Sequence, residues 1–240
     1  MFRHTGSSRT PQHNIRLAAL LCLTAGFVNV AGFLAFSVLT TNVTGHVALL
    51  AEKLVQEDFA TAKVVGLWMF MFLFGAFLSS FIVNNIFNNR QYSYVVPILT
   101  EISILVIVAA YGYHFNRTVS ETEFFAGSLL FAMGMQNALV SMVSGSVVRT
   151  THLTGMFTDL GIEIAALIKQ DETEKTKLKD QIRLRLIIIF FFFLGGILGG
   201  YLFGILKYHT FYIPAAILIA ALFYDVFRFN AIKLARKLTH

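Results

Sequence analysis

His152 is followed by Asp159 and Glu163, seven and eleven positions further on. At helical spacing the two carboxylates share one face. With an imidazole that titrates near neutrality, such a set can bind a coupling cation or relay a proton. It suits a metal poorly, being oxygen-rich, loosely spaced and without a ligand motif. Asp159, set among apolar neighbours, reads as buried, and Glu163 as part of a solvated face. Glu101 lies inside an apolar stretch, where a carboxylate is costly and usually faces a protein interior or a cavity. These three are the candidate coupling residues. Asp225, with Arg228 three residues on, reads as a local ion pair.

A second group is polar without being charged. Thr40-Thr41-Asn42-Val43-Thr44-Gly45 returns 110 positions later as Thr150-Thr151-His152-Leu153-Thr154-Gly155, with four of the six positions identical. Upstream of each copy an asparagine, Asn29 or Asn137, interrupts an apolar run. Phe74-Gly75-Ala76-Phe77-Leu78 is echoed by Leu194-Gly195-Gly196-Ile197-Leu198, and Val96-Pro97-Ile98 by Ile213-Pro214-Ala215. The chain reads as a duplicated unit. Thr, Asn and Gly ahead of an apolar periodic stretch mark a helix start. The stretches that follow are too short to cross a bilayer. If they are half-helices dipping in from opposite sides, their free amides converge on a central site. The candidate substrate-binding residues are then Asn29, Thr41, Asn42, Thr44, Gly45, Asn137, Thr151, His152, Thr154 and Gly155. The alternative is a pair of capped interfacial loops, since these are ordinary turn residues. Leu49 and Lys53 stand in the first copy where Asp159 and Glu163 stand in the second, so the duplicated fold does not require the acidic pair.

The elements that must position these residues follow from composition. Hydrophobic residues make up 56% of the chain and charged ones 13%, with a mean hydropathy of +0.69, values of a membrane protein. About six stretches are long enough to span as helices: 16–39, 61–86, 94–113, 123–147, 183–206 and 210–227. The unbroken run Ile187 to Leu194 excludes the alternation of a β-barrel. The expected fold is therefore all-α: a polytopic integral membrane protein of two inverted three-helix repeats, each with a short half-helix after its Thr-x-x-Thr-Gly turn. Repeat 1 covers 16–113 and repeat 2 covers 123–227, the latter with a charged insert at 169–185. Tails of 1–15 and 228–240 flank this single membrane domain. The first apolar run shows no processing site and is expected to stay in the mature chain.

The net charge of +6 informs through its distribution rather than as a nucleic-acid signal. Lys53, Lys63, Arg117 and Lys207 fall on one side of the expected topology, and the other 15 of the 19 basic residues on the opposite side. By the positive-inside rule both termini are cytoplasmic. An odd number of spans per repeat then inverts the second copy. Cys22 is the lone cysteine and reads as a packed thiol. Gly195, Gly196, Gly199, Gly200 and Gly204, echoed by Gly75, Ala76, Ser79 and Ser80, provide small faces for close helix approach. They are expected to pack within the chain, although a homodimer stays open. The Phe190 to Phe193 run reads as lipid-facing.

The chain resembles the YoaK family of bacterial inner-membrane proteins. The resemblance runs from about residue 16 to 228 and rests on three stretches: Asn42-Val43-Thr44-Gly45-His46, Gly134-Met135-Gln136-Asn137-Ala138, and Thr151-His152-Leu153-Thr154-Gly155-Met156-Phe157-Thr158-Asp159-Leu160-Gly161. It implies a multi-span protein of the bacterial plasma membrane and supplies no substrate. No His-Glu-x-x-His, Gly-x-Ser-x-Gly or phosphate-loop motif occurs, so no cofactor is expected and an enzyme ranks last. A secondary transporter or facilitator of a small polar or anionic solute ranks first. A non-transporting scaffold or modulator, with a packed centre, ranks second.

Overall fold

The computed structural model describes residues 11–86, 93–114, 118–168 and 172–238, and these are helical apart from short turns. Eight α-helices follow in order: α1 (Pro11–Phe36), α2 (Val43–Val55), α3 (Phe59–Phe81, continued by a π-helical segment to Ile86), α4 (Val95–Tyr111), α5 (Val119–Ser144), α6 (Leu153–Leu167), α7 (Glu172–Leu206) and α8 (Tyr212–Leu238). Among the described residues, five stretches are long and apolar enough to cross a membrane: Asn14–Phe36, Phe59–Asn85, Val95–His114, Glu121–Ser144 and Leu178–Asp225. The last holds both α7 and the start of α8, joined by the 3₁₀ segment Lys207–Phe211. The expected charged helix ahead of the fifth span is continuous with it, giving one helix of 35 residues.

Local chemistry fixes the helix ends. Asn42 caps α2 by accepting from the Gly45 amide at 3.0 Å, Asp58 caps α3 through Thr61 at 3.1 Å, and Thr118 caps α5 through Glu121 at 3.3 Å. The Thr61 hydroxyl and then its amide hold the Asp58 carboxyl below the usual carboxylate range. Pro97 and Pro214 each stand third in their helix, where a missing amide breaks no internal bond. Helix α1 stops at Phe36, earlier than hydropathy suggests, because Ser37 turns left-handed (φ 59°). Helix α5 stops the same way at Gly145 (φ 65°), and Ser146 (φ 65°) lengthens that turn.

Helices α1 and α5 lie innermost, contributing Leu17, Leu21, Phe27, Leu129, Leu130, Met133 and Leu139 to the core. The two most extensive helix contacts are α1 with α7 and α3 with α5. Both depend on glycine. The Phe192 carbonyl of α7 occupies the space a Cβ would need at Gly26 of α1, and the Leu23 carbonyl does the same at Gly195. In the other pair the Phe72 carbonyl sits against Gly134 and the Phe131 carbonyl against Gly75. Only a missing side chain permits backbones this close. Contacts of Leu23 with Gly195 and Phe27 with Gly199 advance together along both helices, so α1 and α7 run parallel. Helices α3 and α5 do likewise, Met71 approaching Gly127 and Phe72 approaching Gly134. The end of α4 lies against the link between α7 and α8: Tyr208 lies on Gly112, and the Tyr113 hydroxyl donates to the Leu206 carbonyl at 3.2 Å.

The small stripe of α7 thus packs largely within the chain, as expected, with Gly196 and Gly200 under Val30 and Gly204 open. The phenylalanine run divides. Phe190 and Phe193 are exposed, whereas Phe192 is partly buried and lines the open cavity described next.

Candidate functional site

Asn29 organises the first turn. It lies seven residues before the end of α1, about 10 Å down the helix at 1.5 Å per residue. Yet its Oδ1 accepts from the Thr41 amide, 3.1 Å away. The chain leaves α1 at Ser37, doubles back through an extended segment and starts α2 two helical turns below the tip of α1. Thr41 is 7% exposed. Asn42 then lays its side chain over Gly45, where a Cβ would collide with it. This explains why glycine closes the motif.

The second copy repeats the arrangement with differences. His152 precedes α6 and its ring lies over Gly155. Its side chain makes no capping bond, which leaves the first-turn amides of α6 uncapped by a side chain. The preceding turn is tied by Ser144, whose hydroxyl accepts from the Val148 amide at 2.9 Å and donates to the Val148 carbonyl at 3.2 Å. Asn137 stands where Asn29 stands in the first copy, but its buried Oδ1 has no partner among the described residues.

The two turns meet at one cavity of about 570 Å³. Its sixteen lining residues include Asn29 and Asn137, Leu39 and Arg149, Thr41 and Thr151, Asn42 and His152, Val43 and Leu153, Thr44 and Thr154, and Phe72 and Phe192. The members of each pair are separated by 108, 110 or 120 positions, the same offsets that relate the two copies of the sequence. Ser141 and Ser146 complete the lining. The geometry thus brings together eight of the ten residues expected to bind substrate, while Gly45 and Gly155 sit behind the Asn42 and His152 side chains.

The acidic residues lie elsewhere. Arg185 of α7 binds Glu163 through two contacts of 2.8 Å and Asp159 through one of 2.9 Å, and its Nη1 reaches the Met156 sulfur at 3.4 Å. The expected burial is reversed: Glu163 is buried, and the Asp159 side chain is 46% exposed. A guanidinium 22 residues away causes this, because it solvates Glu163 internally and draws Asp159 to the rim. Neither carboxylate lines the cavity, and both are committed to holding α6 on α7. Glu101 is 1% exposed, in the middle of the buried stripe of α4, and its Oε1 has no partner among the described residues. It too is absent from the cavity wall.

Sequence reasoning missed Phe72 and Phe192, though each precedes a repeated glycine by three. It also counted Arg149 and Arg185 only as topological charges. Arg149, one residue before the second motif, was within reach of a closer reading. Arg185 gave no local signal. No cluster of three or more metal-ligating side chains exists among the described residues.

The profile of the family described as "Protein of unknown function (DUF1275)" matches residues 17–224. The chain belongs to this family. The chain is 27% identical over 184 residues to UPF0700 transmembrane protein YoaK of Bacillus subtilis (strain 168), a match covering 76% of this chain and 80% of the relative. This supports the YoaK-like resemblance and a multi-pass membrane protein. No solved structure matches this DUF1275 chain.

Proposed function

We propose that the protein is a secondary transporter or facilitator whose small polar solute binds between two inverted repeats. The observation that carries this reading is the cavity lining, seven pairs of residues at the offsets of the sequence duplication. Such a wall arises where a cavity lies on the axis relating two copies. The helix contacts follow the same operation, with Gly26 on Phe192 matching Gly134 on Phe72, and Gly195 on Leu23 matching Gly75 on Phe131.

In this reading six helices cross: α1, α3, α4, α5, α7 and α8. Helices α2 and α6 re-enter from opposite sides with their N-termini at the centre. Their outer faces suit lipid, Val55, Phe157, Ile162 and Ile168 being exposed and apolar. Non-helical backbone at such depth is tolerated where it lines a polar cavity, as both turns do. A scaffold with a packed centre gives no account of this space. With six crossings and the positive-inside rule, this reading has both termini in the cytoplasm.

Cysteine accessibility in inside-out and right-side-out vesicles tests the reading. Cys22 is buried, so single cysteines can be introduced without replacing it. Thr41→Cys and Thr151→Cys should each react with a membrane-impermeant maleimide from one face of the membrane, and the two faces should differ or interchange. Labelling of neither residue from either side would overturn it.

A further inference from the structure

We propose that the solute is a small anion and that Arg149 is the residue that selects it. The inference rests on the transport reading above and adds the substrate class. Its ground is the place where the paired lining loses its symmetry. Six of the seven pairs match apolar with apolar or polar with polar, whereas Leu39 is opposed by a guanidinium. Arg149 has no ion pair among the described residues, and none of the lining residues is acidic. The nearest acids along the chain, Asp159 and Glu163, are held by Arg185 outside the cavity.

The remaining polar groups offer donors. The Asn29 Oδ1 is consumed by the Thr41 amide, which leaves its Nδ2 as the free end. The Asn137 Oδ1 is buried without a hydrogen-bond partner among the described residues, and its Nδ2 is a further donor. No side chain caps α6, so the positive end of its dipole is unneutralised at the wall. Hydroxyls of Thr44, Thr154 and Ser141 donate or accept as required. A cavity lined by an exposed guanidinium without an ion pair, a helix N-terminus and several donors, and with no carboxylate, suits an anion and repels a cation. Its volume of about 570 Å³ admits an oxyanion or short carboxylate with part of its water.

The test is thermal unfolding of the detergent-purified full chain at constant pH and ionic strength. The probes are three sets of solutes: chloride, nitrate, phosphate, sulfate and short carboxylates; small amines; and neutral polyols. At least one anion should raise the wild-type Tm in a saturable way. Arg149→Gln should weaken that effect about 10- to 100-fold, the loss expected for a charge-assisted contact, and Arg149→Lys should retain part of it. Non-specific salting effects are common to all variants and cancel. Saturable stabilisation by amines or polyols alone overturns the anion assignment. So does an anion effect equal in wild type and Arg149→Gln, or a flat response to every anion. In those cases the cysteine-accessibility pattern separates failure of the substrate class, which leaves that pattern intact, from failure of the transport reading, which does not.

Discussion

At the residue scale the decisive contact is a single hydrogen bond, from the Thr41 amide to the Asn29 side chain. It fixes how far the chain returns into the bundle before α2 begins. Asn29→Ala strands a buried amide and should cost about 1–3 kcal/mol, read as a drop in Tm in detergent. Asn29→Asp keeps an acceptor and should melt higher than the alanine variant. Arg185 offers a larger effect. Arg185→Gln leaves Glu163 buried without its partner and should destabilise by about 3–5 kcal/mol, whereas the double change with Glu163→Gln should recover much of that loss. Equal melting of the single and double variants would show that the ion pair does not hold α6. These two cases also mark what sequence conveys about a site. Asn29 and Thr41 were legible because duplication repeats them in Asn137 and Thr151. The burial of Glu163 was not, because its cause is a guanidinium brought by folding from another helix. Repetition reports on the common frame, whereas the residues that differ between copies take their environment from tertiary contacts.

At the element scale the long helices were legible from apolar length alone, and their errors lie at the ends. Hydropathy continues past Phe36 through Val38 and Leu39, but a left-handed Ser37 breaks the helix. Helices α2 and α6 were legible as short helices behind Thr-Gly turns. The position of the α2 N-terminus beside α1 was not, since it depends on Asn29 reaching across a turn. The glycine stripes announced close packing without naming partners, and the structure pairs α1 with α7 and α3 with α5. This pairing gives a graded prediction. Gly26→Ala and Gly134→Ala place a methyl on a backbone carbonyl that cannot swing aside and should each cost about 1–3 kcal/mol. Gly66→Ala, with open space around it, should be neutral or stabilise by up to about 1 kcal/mol through helix propensity. Thermal melting of the three variants side by side checks the order. A Gly26 variant as stable as wild type would mean that α1 and α7 are further apart than described.

At the scale of the whole molecule, the charge at Arg149 and the two-fold relation of the lining make a joint prediction. Leu39 and Arg149 both line the cavity, each one residue before its copy of the motif. A guanidinium moved from 149 to 39 therefore reaches the same space from the other repeat. The double variant Leu39→Arg with Arg149→Leu should recover at least about tenfold of the anion affinity that Arg149→Leu alone loses. The recovery would be read as the midpoint of anion-dependent stabilisation. Topology should survive the exchange, because the inward bias is spread over many Lys and Arg residues and one charge moved among them shifts it little. A cavity off the axis predicts otherwise: the relocated charge would face lipid or protein, the double variant would bind no better than Arg149→Leu, and it would melt lower through the desolvation of an unpaired cation. If the two repeats are inverted copies, as proposed, the cavity has two equivalent places for a selecting charge, and in this chain the guanidinium stands at the one that follows α5.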